Sequence, residues 1–130
     1  MPRQILTSVA LLVPDYDSAI AFFCDVLGFT LTADIDQGTK RWVTVEPSGG
    51  GVSLVLARAV GARQIAAIGD QAGGRVWLFL QTDNFDRDFT KMRAAGLVFE
   101  EIPRDEPYGK VAVWRDPWGN RWDLIEPNLV

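Results

Sequence analysis

Few side chains in this sequence can do chemistry, and most of them are carboxylates. Asp123 lies inside an apolar, strand-like run, where burial can raise a carboxyl pKa toward the range of a general base, and Glu46, at the end of another such run, is either a second acid/base or a solvated side chain. Arg121 stands two residues before Asp123, so on a strand the two share a face. They can hold an anionic or hydrogen-bonding group of a substrate, or pair with each other, and the mutual ion pair is the preferred reading. Tyr108 sits beside Gly109 after the polar run Arg104-Asp105-Glu106-Pro107, either as a specificity residue over a site or as an exposed loop side chain. The chain has no histidine, which removes serine–histidine triads and imidazole metal ligands. Cys24, the single cysteine, falls within an apolar helical pattern with no base to activate it and reads as an inert core thiol. Gly49-Gly50-Gly51 lacks the Lys and Ser/Thr of a phosphate loop, and Gly69 to Gly74 does not lead from a strand into a nucleotide-binding helix.

A single domain of 130 residues with 48% hydrophobic side chains can bury a real core around these groups. The net charge of −4 and the absence of a basic run argue against nucleic acid as a partner. Arg87, Lys91 and Arg93 interleave with acidic residues as a solvated helix face. The apolar runs are too short to span a bilayer, so no membrane partner is expected. One cysteine precludes an intrachain disulfide, and the start of the chain carries no secretory pattern; both fit a cytoplasmic protein.

The elements that must position the site follow from periodicity and punctuation. Residues 5 to 13 are apolar and β-branched, as a buried strand requires. Asp15 or Asp17 caps a helix with Ala19, Phe22, Phe23, Val26 and Leu27 on one face, and Gly28 stops it. Strands are predicted at 29–35, 41–46 and 52–56. The order then returns: a strand at 75–81, Asp83 opening a helix with Phe85, Phe89 and Met92 inward, Gly96 ending it, and strands at 97–102, 110–114 and 121–125. Asp15 falls on Asp83 and Gly28 on Gly96 at an offset of 68, while Thr44 on Trp114 and Ser53 on Asp123 give 70. The expectation is an α+β fold of two tandem βαβββ modules, at about 5–57 and 75–127, joined by a connection over 58–74 with one short helix near Ile65 and Ile68.

Three stretches carry a family resemblance. The run 13–23 followed by Val26-Leu27-Gly28-Phe29 is similar to the first-helix motif of the vicinal oxygen chelate superfamily, which includes glyoxalases, bleomycin resistance proteins and extradiol dioxygenases. Asp116-Pro117-Trp118-Gly119-Asn120-Arg121-Trp122-Asp123-Leu124 resembles its closing hairpin, and Tyr108-Gly109 the loop before the penultimate strand. The resemblance implies a curved mixed sheet around a cup between the modules, and a homodimer.

It also implies where metal ligands would sit: Ser8 and Val76 on the first strands, Ser53 and Asp123 on the last. Only Asp123 is a ligand type, so neither a metal nor any other cofactor is expected. Taking those four positions as inward, alternation adds Ala10, Val55, Leu78, Arg121 and Ile125 to the cup face and sends Trp77, Phe79, Trp122 and Leu124 to the core. With Val43, Val45, Val111 and Val113 read as core, Trp42, Thr44, Glu46, Ala112 and Trp114 also turn to the cup. The expected binding set is therefore Ser8, Trp42, Thr44, Ser53, Leu78, Tyr108, Trp114, Arg121 and Asp123, suited to a small aromatic or heterocyclic molecule. The alternative is a lyase, isomerase or dioxygenase of the same superfamily, with an unusual metal site or with acid/base catalysis at Asp123 or Glu46.

Overall fold

The computed structural model describes residues 3–128, which divide between Ala66 and Ala67 into two compact units. In the first, β1 (Ser8–Val13) leads into α1 (Tyr16–Ala21), which continues as a π-helical turn over Phe22–Val26. β2 (Thr30–Asp36), β3 (Arg41–Glu46) and β4 (Ser53–Arg58) follow. The sheet order is β1-β4-β3-β2, with β1 and β4 parallel and the other pairs antiparallel. β1 starts at Ser8 rather than at residue 5, and Ile5 and Leu6 are exposed.

Asp15 caps α1 as expected: its Oδ1 accepts from the Ser18 amide at 2.8 Å and its Oδ2 from the Ser18 hydroxyl at 2.7 Å. Those bonds hold the Asp15 carboxyl below the usual range. At the other end the Phe29 amide reaches back to the Phe23 carbonyl at 2.8 Å, which requires Gly28 at a φ of 76°. This closure drops Phe29 against Phe23, ring centres 5.4 Å apart, over a core of Leu11, Val13, Val43, Val45, Leu54 and Leu56. Arg41 fastens the β2–β3 hairpin to the start of α1. Its guanidinium bonds Asp34 twice and Asp17 once and lies over the Tyr16 ring, and its amide donates to the Tyr16 hydroxyl at 3.2 Å.

α2 (Gly61–Ala67) buries none of its residues. The second unit then runs β5 (Val76–Gln81), α3 (Phe85–Ala94), β6 (Val98–Phe99), β7 (Arg104–Glu106), β8 (Gly109–Arg115) and β9 (Arg121–Pro127). Its sheet order is β5-β9-β8-β6, with β7 also paired to β8. Asp83 does not cap α3. Asn84 does, its side chain accepting from the Arg87 amide at 3.0 Å, while Asp83 pairs with Arg87 on the surface. A second acceptor, Glu126 of β9, takes the Phe85 amide at 2.6 Å and ties the helix to the even-numbered face of that strand. Gly96 ends α3 at a φ of 90°, and the Leu97 amide returns to the Met92 carbonyl at 3.1 Å.

The expected strand at 97–102 shrinks to two residues, and the expected loop before Gly109 holds β7, which forms a tight hairpin with β8 through Pro107 and Tyr108. Among the described residues no helix is long and apolar enough to cross a membrane.

Candidate functional site

In each unit one sheet face packs on the helix, so any site on the sheet belongs to the opposite face, which in the second unit buries Val111, Val113 and Asp123 and leaves Phe79 exposed. In the first unit the ladder settles which residues those are. Ser8 pairs with Ser53, Ala10 with Val55, and Thr44 with Val55, while Val45 pairs with Leu54 in the core. Ser8, Ser53, Thr44 and Trp42 therefore share the open face, as alternation predicts, together with Glu46. Trp42 is 42% exposed and lies across from Ile35, also exposed, on the edge strand β2. A bulge between Leu31 and Ala33 brings the Thr32 hydroxyl to 2.6 Å from that of Thr44, so Thr44 is already engaged within the sheet.

The second unit departs from the expected register twice. Val76 pairs with Arg121, but after a bulge at Trp77 the partners are Leu78 with Trp122, Phe79 with Asp123 and Leu80 with Leu124. The extra residue reverses the alternation: Leu78 turns to the helix side, and Phe79 comes to the open face, 66% exposed and in register with Asp123. The binding role expected of Leu78 does not fit this placement.

Trp114 is the second correction. It pairs with Trp122 and stacks on it, ring centres 4.9 Å apart and planes 27° from parallel. It is fully buried on the face that carries Glu126 and the contacts to α3, so it is a core residue and not a wall of a ligand site. Val113, expected in the core, pairs with Asp123, and Val111 with Ile125. The overlay of Thr44 on Trp114 thus joins residues from opposite kinds of face.

The Trp122 indole donates to Asp116 Oδ2 at 3.1 Å, and three more donors meet the same carboxylate: the amides of Trp118 and Asn120 and the Asn120 side chain. Burial pushes the Asp116 carboxyl up, and these bonds oppose the rise. This is how the turn Asp116–Asn120 delivers β9, and with it Asp123, at a fixed register.

Asp123 is 8% exposed, and its Oδ1 is buried without a hydrogen-bond partner. Arg121 is not its ion-pair partner. The Arg121 guanidinium instead donates to Glu100 at 2.9 Å and to the Gly74 carbonyl at 3.0 Å, so the expected pair is absent and Arg121 is engaged as a brace between segments. Around Asp123 the structure places two groups that alternation along single strands does not reveal. Arg104, in register with Val111, is held by Glu101 at 3.1 Å and Glu106 at 2.6 Å, with Tyr108 beside its guanidinium. Glu101 in turn accepts from the Val113 amide at 3.0 Å. Tyr108 itself is an exposed turn residue whose carbonyl accepts from the Asn128 amide at 3.1 Å.

Burial raises the Asp123 carboxyl above its ordinary value, with Glu101 adding to the rise and the Arg104 and Arg121 charges opposing it. A carboxyl whose folded pKa is raised favours the folded state most when protonated, so its contribution is present below the unfolded pKa and lost as pH climbs through the folded one. Asp123→Asn is accordingly expected to raise stability more at pH 7 than at pH 4, read from urea unfolding at the two values. An equal change at both would show that Asp123 titrates as a free carboxyl.

The metal-ligand positions implied by the family resemblance do not make a metal site. Ser8 and Ser53 offer two neutral hydroxyls, with Ser8 Oγ 3.1 Å from that of Thr7, and Val76 offers nothing. Asp123 has guanidinium charge rather than further carboxylates or imidazoles as its main electrostatic company. Among the described residues no three His, Cys, Asp or Glu side chains come together. A transition metal needs three or four such donors to displace its water.

Comparison with known proteins agrees with the architecture. A family model described as Glyoxalase/Bleomycin resistance protein/Dioxygenase superfamily matches residues 5–124. An uncharacterized protein of Shewanella frigidimarina is 49% identical over 129 residues, covering 97% of this chain and 96% of that one. Among solved structures, TnmS3, an antibiotic binding protein from Streptomyces sp. CB03234, is similar at a TM-score of 0.80 and 29% identity, covering 98% of this chain and 99% of that one. UcmS2 is similar at a TM-score of 0.81 and 32% identity, covering 95% and 98%. With the closing-hairpin turn and the helix-ending Gly28 formed as the motifs require, the chain belongs to the glyoxalase/bleomycin resistance protein/dioxygenase superfamily.

Proposed function

We propose that this protein binds a small aromatic or heterocyclic molecule without the help of a metal ion, on sheet faces away from the helices that present Trp42 in the first unit and Phe79, in register with the buried Asp123, in the second. The observation that carries this reading is the pair of aromatic side chains left exposed on strand faces that pack against no helix. Exposed Trp and Phe rings on a sheet leave apolar area for a flat ligand to cover, and stacking adds to that burial. The similarity to an antibiotic binding protein over nearly the whole of both chains supports the same choice. The working form under this reading is a cytoplasmic homodimer that engages neither nucleic acid nor membrane.

A second reading has one observation in its favour. The raised carboxyl of Asp123 is the kind of group that abstracts a proton, which would make the protein a metal-free lyase or isomerase of the same superfamily. Saturable turnover of a small substrate, abolished in Asp123→Asn, would move the conclusion there.

Binding is tested by titrating the protein with phenazine, a planar heterocycle, and following tryptophan emission. Saturable quenching is expected, and Trp42→Ala should weaken the affinity by about 1–3 kcal/mol, the range for losing a stacking ring and its buried area. A linear, unsaturable response, or an affinity that Trp42→Ala leaves unchanged, would remove Trp42 from the site.

A further inference from the structure

The second unit has a groove that the reading above leaves unused. It runs from the end of α3 along β6 and the segment after it, holds about 690 Å³, and is walled by Leu97, Val98, Ile102 and Pro103 together with Phe89 and Phe99. Neither Phe79 nor Asp123 lines it. β6 ends the strand order of its sheet, and Val98 and Ile102 stay 63% and 87% exposed beside that free edge. Two branched aliphatic side chains at the rim of one concavity leave apolar area that a ligand can cover.

The state of the rings says what kind of apolar body fits. Phe89 stacks on Phe85 at 5.5 Å, meets Phe99 edge-on at 4.6 Å and carries the Arg93 guanidinium over its ring at 5.3 Å. These contacts occupy the Phe89 ring, so the surface left for a ligand is the aliphatic one of Leu97, Val98, Ile102 and Pro103, which suits a hydrocarbon chain better than a flat ring.

Charge says what the head group is. The two carboxylates of the wall are already held. Glu100 bonds Arg115 at 3.0 Å and Arg121 at 2.9 Å, while Glu101 bonds Arg104 at 3.1 Å and accepts from the Val113 amide at 3.0 Å. Arg93, also in the wall, is exposed, and none of the ion pairs among the described residues includes it. Lying over Phe89 fixes the plane of its guanidinium and leaves the in-plane N–H edge to meet the two oxygens of a carboxylate.

From this geometry we infer that the groove binds an alkyl carboxylate, its chain covering Val98 and Ile102 and its head group paired with Arg93. The inference stands independently of the aromatic-binding reading. Nothing covalent is formed. An exposed ion pair contributes little by itself, so the chain supplies most of the affinity and the guanidinium selects the sign of the head group.

The test follows backbone amide shifts of ¹⁵N-labelled protein during titration with octanoate, hexanoate and octylammonium. Saturable shifts are expected at residues 93–103, with octanoate bound at least about threefold more tightly than hexanoate and than octylammonium. Arg93→Gln should weaken octanoate by about threefold and remove its advantage over octylammonium. Ile102→Ser, at an exposed position that the fold does not need, should weaken octanoate by a similar factor and keep that advantage. Trp42→Ala and Phe79→Ala should each leave octanoate binding within about twofold, whatever they do to an aromatic ligand. Octylammonium bound as tightly as octanoate by the wild type, or octanoate affinity unchanged in Arg93→Gln, would overturn the role of Arg93. Shifts that fail to saturate at 93–103, or octanoate binding lost in Trp42→Ala or Phe79→Ala, would overturn the groove as its site.

Discussion

Asp116→Ala is expected to cost about 3–5 kcal/mol of stability. Asp116 is buried, and its two oxygens accept four hydrogen bonds: from the amides of Trp118 and Asn120, from the Asn120 side chain and from the Trp122 indole. Truncation removes the acceptor of all four bonds at once, next to Asn120 and Trp122, which are closed off from water. Asp116→Asn should recover little of the loss, because one of its atoms then points an N–H at donors already fixed in place. Urea unfolding of the three proteins measures this. A cost under about 1 kcal/mol for the alanine variant would mean that the turn is held by its backbone and not by the carboxylate.

Gly69→Ala is expected to be nearly as damaging. Gly69 has a φ of +75°, and a Cβ there would overlap the carbonyl oxygen of Trp118 and lie 2.9 Å from its carbon. Both obstacles are backbone, so no side-chain rotation relieves them, and about 3–5 kcal/mol is the expected penalty. Gly73 provides the control, since its φ of +65° is comparable while nothing lies within 4 Å of a Cβ there. Gly73→Ala should therefore cost only about 1 kcal/mol. Thermal or urea unfolding that finds the two variants equal would show that the close approach of residue 69 to the β8–β9 turn yields at little expense.

The contrast between these positions and the binding face marks what was legible in the sequence. Asp15, Gly28, Gly96 and the Asp116–Asn120 turn act through neighbours a few residues away, and such local chemistry is written in spacing. Asn84 displaced Asp83 as the second cap because both are good caps and only backbone geometry chooses between adjacent ones. The outer face of the first sheet is readable because the buried Val43, Val45, Leu54 and Leu56 alternate with Trp42, Thr44, Glu46, Ser53 and Val55, most of them polar.

In the second unit that signal fails for a physical reason. Val111, Ala112, Val113 and Trp114 are all buried, so β8 is apolar on both sides and its pattern does not say which side is which. The run Val76–Leu80 hides its bulge in the same way, since an inserted apolar residue among apolar residues leaves no mark. Alternation therefore assigns Trp114 and Leu78 to the wrong face, and sends to the core a Phe79 that is exposed. Arg104 and Glu101 reach Asp123 across strands that are not adjacent in sequence, and no periodicity along a single strand encodes that.

The central claim is that ligand binding here needs no metal, and it is tested most directly by one titration. Phenazine is titrated into the protein before and after exhaustive dialysis against EDTA, with the metal content of both samples measured. The account predicts the same dissociation constant within about twofold in the two samples, as expected of a donor set made of two serines, a valine and one aspartate. Binding that vanishes after EDTA and returns with one equivalent of Zn²⁺, Mn²⁺, Fe²⁺ or Ni²⁺ per chain would contradict it.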